Sequence, residues 1–342
     1  MRTGLIGCGR IATIHAMALN KLPTARFVAC CDRDIDRAHA VASKYDVPRV
    51  FDDAETLLRE GDVEAVLICA PHPAHEELVV AAAHAGVHVL CEKPISISTD
   101  GADRMIEAVT QAGITFGVIF QRRFWPAAQR IRKAIDTGRL GKPTLGECTV
   151  RIWRSPEYFA SDPWRGKWET EGGGALMNQA VHAIDLLQWF MGRPTEVFGH
   201  FATFRHAGYI DVEDTAVAAV TFDSGALATI QAATTVQPES GYRVVVHGDK
   251  GPTASVWEFP EGQQGFNDVW TVPGEESFRA VWEWEEKGKP GFPLFHVLQI
   301  QDFLDSLIEG RSPAVTGEDA RVSLAIIEAV YESSRTGRPV RL

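Results

Sequence analysis

Apolar and polar positions along the first 120 residues alternate between two periods. Short, nearly continuous apolar runs lie at Thr3–Gly7, Arg26–Asp32, Ala65–Cys69, Val87–Cys91 and Thr115–Ile119. Between them, helical spacing runs over Ile11–Leu22, Ile35–Tyr45, His75–Ala85 and Ser98–Gln111. Uninterrupted apolar strands parted by amphipathic helices predict a parallel sheet covered on both faces. After Phe120 the pattern changes. A helix is expected from Pro126 to Thr137, ended by Gly138, then a strand over Thr144–Trp153 and a Pro-, Gly- and Trp-containing loop from Ser155 to Gly174. A long apolar helix, Ala175–Phe190, follows. Strand-like runs then succeed one another without helices: Val197–Phe204, Thr215–Phe222, Ala226–Ala233, Arg243–His247 and Ala254–Phe259. Turns such as Asp223-Ser224-Gly225 join them, so they predict an antiparallel sheet. Helices near Phe295–Glu309 and Glu318–Thr336 come last. The expected architecture is an α/β domain over residues 1–121 and an α+β domain over 122–342, whose last helices can return to the first domain.

Composition narrows the function classes. The chain has 342 residues, with 34 Lys and Arg against 45 Asp and Glu and a net charge of −11. Nonspecific nucleic-acid binding needs a cationic surface to displace counterions, so that class is set aside. A locally placed Arg can still hold an anionic ligand. No apolar run reaches the roughly 18–20 residues of a membrane span. A strand that begins at Thr3 leaves no room for a signal peptide, so a cytoplasmic location is expected. Cys8, Cys30, Cys31, Cys69, Cys91 and Cys148 form no C-x-x-C pair. They read as buried free thiols in a reducing compartment, and no metal site is expected.

The most specific local signal is Gly7-Cys8-Gly9-Arg10-Ile11-Ala12, a G-x-G-x-x-A turn between the first strand and the first helix. Gly7 permits the tight turn, Gly9 lets backbone approach a pyrophosphate, and Ala12 allows close helix–strand packing. The helix N-terminus, with Arg10 and Ile11, offers N–H groups to phosphates. Asp32 ends the second strand, 23 residues after Gly9. Its carboxylate suits the ribose hydroxyls of NAD and repels a 2′-phosphate. Arg33 follows it and could stack on adenine, grip the phosphate of NADP or be an ordinary surface residue. NAD is the expected cofactor, with NADP possible.

Two further constellations carry candidate chemistry. Glu92-Lys93-Pro94 follows the strand Val87–Cys91, at the carboxyl end where open parallel sheets bind ligands. Lys93 there can stabilise charge on a reacting oxygen. The second is Gly172-Gly173-Gly174 followed by a helix carrying Asn178, His182 and Asp185. The glycines are expected to let the loop pass close to a ligand. Asn178 and His182 share a helix face, with Asp185 roughly on the same side. Loss of a hydride from an alcohol also requires loss of the hydroxyl proton, which imidazole can accept near neutral pH. Tyr158, Phe159, Trp164 and Trp168 form either a stacking surface for sugar rings or anchors that pin the loop.

Together these residues resemble the Gfo/Idh/MocA oxidoreductases, named for glucose–fructose oxidoreductase, inositol dehydrogenase and a rhizopine-catabolism protein. The resemblance covers nearly the whole chain. It rests on the glycine turn, Ala70-Pro71 followed by His75, Glu92-Lys93-Pro94, Trp164-Arg165-Gly166, the glycine-led helix with His182, and Arg243 to Gly248 followed by Gly251. It implies a Rossmann domain followed by an α+β domain with a large, open, mostly antiparallel sheet that commonly forms dimer or tetramer interfaces. It implies Lys93 and His182 as the catalytic pair, His182 as acid/base and Lys93 polarising the reacting oxygen. Gln121, Arg123, Trp164 and Arg165 match positions that often line the cofactor and substrate cleft. Family substrates are mostly pyranoses, their nucleotide conjugates and inositols.

One departure concerns Asn178. Many members carry Asp there, where a carboxylate orients the imidazole and raises its basicity; Asn orients it without charge. The expected activity is NAD-dependent hydride transfer at a secondary hydroxyl or ketone of a sugar-like substrate, in a homodimer or homotetramer. An NADPH-dependent reductase and a noncatalytic dinucleotide-binding regulator are the alternatives. Cofactor contacts are expected from Gly7, Gly9, Arg10, Ile11, Asp32, Arg33, Ala70, Pro71, His75, Glu92, Lys93, Gln121, Trp164 and Arg165. Substrate contacts are expected from Lys93, Arg123, Tyr158, Trp164, Asn178 and His182.

Overall fold

The structure is a computed structural model that describes residues 1–274 and 294–342. The described residues divide into two units. The first holds Met1–Gln121 and a later segment that includes the helix Leu294–Glu309 and ends at Arg321. The second begins at Arg122 and is completed by Val322–Leu342.

In the first unit, β1 (Arg2–Ile6), α1 (Ala12–Lys21), β2 (Arg26–Cys31), α2 (Ile35–Tyr45), β3 (Arg49–Phe51), α3 (Ala54–Glu60), β4 (Ala65–Ile68), α4 (His75–His84), β5 (His88–Cys91), α5 (Thr99–Ala112) and β6 (Phe116–Val118) follow one another. All six strands are parallel, in the order β3-β2-β1-β4-β5-β6. Every residue of β4 and the last three of β5 are buried, as expected for strands covered on both faces. Strand order reverses between β1 and β4, which puts the ligand-binding end of this sheet beside the loops that follow those strands. β3 and α3 were not among the expected elements. Asp53 caps α3 by accepting from the Thr56 N–H at 2.7 Å.

The second unit contains α6 (Pro126–Asp136), β7 (Pro143–Arg151), α7 (Pro156–Ala160), α8 (Trp168–Glu171), a π-helical turn over Ala175–Ala180, α9 (Val181–Met191), β8 (Pro194–Ala202), β9 (Thr215–Phe222), β10 (Leu227–Ala233), β11 (Gly241–Gly248) and β12 (Thr253–Glu258). After α10 (Leu294–Glu309) in the first unit, α11 (Gly317–Thr336) contains the boundary between the units, and β13 (Val340–Arg341) joins the second sheet. That sheet has seven strands in the order β12-β11-β7-β10-β9-β8-β13. It is mixed rather than wholly antiparallel, because β7 lies between β11 and β10 and pairs in parallel with β10. The expected long helix also differs: its first six residues form the π turn, and regular α-helix begins only at Val181.

One face of the second sheet is packed. Gly146 on β7 lets α9 sit close, since a Cβ there would fall 2.8 Å from the Leu187 side chain. On β8, Gly199 donates its N–H to Ser333 of α11 at 3.1 Å. The strands alternate buried and exposed residues, and the other face presents Leu145, Phe198, Val217 and Leu227, each at least 40% exposed. Leu145 and Leu227 are directly paired across β7 and β10.

In the first unit, α10 completes the core. Its Ile300, Phe303 and Leu304 pack in one cluster with Ala12, Ala16 and Leu19 of α1 and with Leu5 and Leu67 of the strands. Gln299 stitches the end of β6 by donating to the Val118 carbonyl at 2.8 Å and accepting from the Phe120 N–H at 3.0 Å.

Candidate active site

The glycine turn leaves β1 with Gly7 at φ +89°, and a Cβ at Gly7 would lie 2.7 Å from the Ala70 nitrogen. Glycine is therefore required there by the protein's own backbone. Gly9 is different: a Cβ built on it meets nothing within 4 Å. Its lack of a side chain serves the open space above the turn, which fits a dinucleotide pyrophosphate. Ile11 stands at the start of α1 and Ala12 is fully buried. No side chain caps the helix, so its first N–H groups suit phosphate oxygens. Asp32 closes the turn from β2: Oδ2 accepts from the Cys8 N–H at 2.7 Å and Oδ1 from the Asp34 N–H at 2.9 Å. Arg10 and Arg33 are exposed.

The loops after β4 and β5 are tied together by His75. Its Nδ1 lies 2.8 Å from the Pro94 carbonyl and its Nε2 3.0 Å from the Ala70 carbonyl, with the ring fully buried. Burial pushes its pKa down, against the carbonyls, which favour the charged ring. Both nitrogens face backbone carbonyls, to one of which the neutral ring donates, and His75 shapes the loops that carry Ala70-Pro71 and Lys93-Pro94. Glu92 is buried and accepts from the Lys93 N–H at 3.1 Å and pairs with His15 Nε2 at 2.7 Å. Burial pushes the Glu92 carboxyl up, but the hydrogen bond and charge of His15, with His296 and Lys93 nearby, hold it at about 2. His15, Glu92 and His296 bring ligand-type atoms within 4.8 Å of one another. The His15–Glu92 separation is a hydrogen-bond length, shorter than the about 3.3 Å between two ligands of one tetrahedral zinc, so these two read as a hydrogen-bonded pair with the His296 ring edge-on to His15. Lys93 and Gln121 are half-buried.

In the second unit, the glycine-led helix is built around Glu213. Its carboxylate accepts from the Gly174 N–H and the Leu176 N–H, both at 2.8 Å, and its backbone carbonyl accepts from the Ala175 N–H at 3.0 Å. Tyr331 donates its hydroxyl to the same carboxylate at 2.9 Å. Burial pushes the Glu213 carboxyl up to about 7 against these hydrogen bonds. The glycines need a different account from the expected one. A Cβ on Gly173 would lie 2.1 Å from the Tyr331 hydroxyl, and one on Gly174 would lie 2.0 Å from the Glu213 carbonyl. At these two positions the loop passes close to the protein itself.

Asn178 and His182 are buried on consecutive turns of this helix. The Asn178 amide donates to Glu171 at 2.6 Å. Asp185, one turn beyond His182, forms a buried two-bond pair with Arg123 at 2.8 and 2.6 Å. The forked end of Arg123 is therefore directed at α9. Arg165 donates to the Tyr158 hydroxyl at 2.7 Å and lies over the Tyr158 and Trp164 rings. Phe159 packs with Ile210 and Val212, and Trp168 donates to the Asp211 carbonyl at 2.8 Å while meeting Tyr331 edge-on. Those two aromatics are anchors, which leaves Tyr158 and Trp164 as the candidates for ligand contact.

Glu171, Glu213 and His15 were not singled out from the sequence. His15 had a signal, since it lies one turn into the helix opened by the glycine motif. Glu213 is 39 residues from the glycine it holds, and no local spacing announces it.

A family model described as the oxidoreductase family, NAD-binding Rossmann fold, matches residues 1–120, and one for the GFO/IDH/MocA C-terminal domain matches 128–253. The chain is 30% identical to myo-inositol 2-dehydrogenase of Thermotoga maritima, over 100% of this chain and 98% of that protein. It is 27% identical to scyllo-inositol 2-dehydrogenase (NAD(+)) of Bacillus subtilis, over 100% and 96%. Among solved structures, the WlbA dehydrogenase from Bordetella pertussis in complex with NADH and UDP-GlcNAcA is similar at a TM-score of 0.87 and 30% identity, covering 100% of this chain and 98% of that one.

Proposed function

The chain belongs to the Gfo/Idh/MocA oxidoreductase family, and from that premise we propose that it transfers hydride between NAD and a secondary hydroxyl or ketone of a sugar, a sugar derivative or an inositol. The observation that carries this reading is the glycine turn closed by Asp32, open above Gly9 and without a side-chain cap on α1. NAD, when bound, supplies the hydride acceptor or donor. In the oxidative direction His182 takes the hydroxyl proton as the carbinol hydride leaves, and Lys93 stabilises the charge that develops on the same oxygen. In the reductive direction the same groups act in reverse. Tyr158, Trp164 and Asn178 are the side chains proposed to meet the substrate, with Arg123 and Asp185 supporting the helix behind His182.

The relatives named above act on inositols, and the structural neighbour holds a nucleotide-linked sugar acid. A panel of inositols, free sugars, sugar acids and nucleotide-linked sugars, assayed with NAD+ and NADP+ by nicotinamide absorbance, tests the proposal. Turnover of at least one polyol with NAD+ is expected. Tight NAD binding with no turnover across the panel would favour the noncatalytic regulator instead. The exposed Arg33 beside Asp32 keeps an NADP-linked reductase as the second reading.

We further propose a homodimer or homotetramer in the cytoplasm. The association is supported by the apolar exposed sheet face. The location is supported by six free, buried cysteines; burial pushes the Cys31 and Cys148 thiols up to about 12, which keeps them unreactive. Among the described residues no helix is long and apolar enough to cross a membrane. Fractionation of cells that express the tagged protein checks the location, and recovery in a membrane or secreted fraction would contradict it.

A further inference from the structure

An amide at position 178 cannot place a charge beside His182, yet the structure sets a carboxylate one step behind it. Glu171, the last residue of α8, is 1% exposed. Its Oε1 accepts from Asn178 Nδ2 at 2.6 Å, and its Oε2 accepts from the Gly166 N–H at 2.5 Å. A carboxylate only accepts, so the atom that Asn178 turns toward it must be the –NH2 group. Nδ2 also lies 3.2 Å from the Tyr158 hydroxyl. Both donor directions of the amide are thereby assigned. The oxygen Oδ1 is the acceptor that Asn178 carries, four residues before His182 across the junction of the π turn and α9. A negative charge pulling on the –NH2 group polarises the amide and strengthens that oxygen as an acceptor.

A buried charge is kept only where hydrogen bonds satisfy it. Among those that hold Glu171, one comes from the Trp164-Arg165-Gly166 segment and one from the helix that carries His182. We propose that Glu171 is a positioning residue for His182: through the Asn178 amide, it orients the imidazole and favours its protonated form. The proposal rests on the reading of His182 as the acid/base group. Other ionisable side chains around the pair are Tyr158 and Arg165 from the loop, Glu213, Tyr331 of α11, and the Arg123–Asp185 pair. The Glu171 charge also bears on Tyr158 and Tyr331, whose hydroxyls it pushes up, so the same titration is followed in Tyr158→Phe as a control.

The arrangement makes an unusual demand on mutants. Asn178→Asp alone sets two carboxylates 2.6 Å apart in a buried site, where only one of them can ionise. Combining it with Glu171→Gln restores a donor–acceptor pair in the reverse sense, with the new amide donating and the new carboxylate beside His182.

Histidine-selective NMR on the full-length protein tests this directly, with the His182 resonance identified by its loss in His182→Gln. In Glu171→Gln, His182 is expected to titrate about half a pH unit or more lower than in the unmodified protein. The acid limb of the oxidation pH–rate profile should move down with it, and KM should change little. Asn178→Asp alone should lose stability, and the double variant should regain it and titrate higher than Glu171→Gln. An unchanged His182 titration in folded Glu171→Gln would overturn the proposal. If that variant does not fold, the double variant decides: failure to improve on Asn178→Asp overturns it. The functional reading fails separately, if His182→Ala keeps near-normal turnover, and the NMR titration still answers the question about Glu171.

Discussion

Aspartate 32 and glutamate 92 show how two carboxylates at strand ends of one sheet acquire different work. Asp32 keeps its position by accepting from two backbone N–H groups, and on the proposed reading its charge repels a 2′-phosphate. Asp32→Ala should therefore narrow the preference for NAD(H) over NADP(H) in fluorescence titration; a clear NADP(H) preference in the unmodified protein would show that Arg33 dominates. Glu92 is held at about 2 by His15 despite its burial. Its folded pKa lies below the usual carboxylate value, so its contribution to stability is present above about pH 4.5 and is lost as pH falls toward 2. The shift corresponds to roughly 3 kcal/mol. Urea unfolding of Glu92→Gln at pH 7 and at pH 3.5 should show a smaller deficit at the lower pH. For the reaction itself, Lys93→Ala and His182→Ala should each reduce turnover at least about a hundredfold. The double variant should lose little more, as expected of groups that serve one transition state. The motif residues were legible because their spacing along the chain is their signal. Glu171 was not, because Trp168-Glu169-Thr170-Glu171 reads as a solvated stretch, and only the fold reveals that its last carboxylate is buried.

Among elements, the π turn before α9 is the least standard and was the least legible. Apolar residues all round Ala175–Phe190 predict a buried helix, but burial on every side erases the periodicity that would distinguish a π turn from an α-helix. The turn lies where Glu213 takes three successive N–H groups. Gly174→Ala would drive a Cβ into the Glu213 carbonyl, so a loss of about 1–3 kcal/mol is expected on thermal or urea unfolding. Turnover should fall as well, because Asn178 and His182 follow within two turns. By contrast, Gly9→Ala should leave stability nearly unchanged and weaken NAD binding, since its Cβ meets only open space. That contrast separates a glycine kept for the fold from one kept for a ligand. β3 and α3 escaped notice for different reasons. β3 has three residues, too few for a period to show. α3 had a usable signal in Asp53 three before Thr56, with Leu57 and Leu58 buried behind the cap. The parallel pairing of β7 with β10 is a long-range property that no run of neighbouring residues encodes.

For the whole molecule, the seven-stranded sheet exposes Leu145, Phe198, Val217 and Leu227 on one face, beside polar residues such as Thr229 and Gln231. Light scattering at micromolar concentration should find a dimer or tetramer, and Leu145→Lys combined with Leu227→Lys should shift the population toward monomer, because two charges would then face the partner at adjacent positions. A wild-type protein that is monomeric at that concentration would contradict the proposal. The helix α10 has a consequence of another kind. Its Ile300, Phe303 and Leu304 belong to the core around β1 and α1, yet the ribosome reaches them roughly 180 residues after Gln121. At ordinary rates of synthesis that interval lasts on the order of 10–40 s. Throughout it the nascent nucleotide-binding sheet carries an open apolar groove where α10 will lie, and β6 waits for the amide of Gln299. The unit made first is therefore among the last to be completed, and a chain released at residue 121 should be sticky and should recruit chaperones rather than fold.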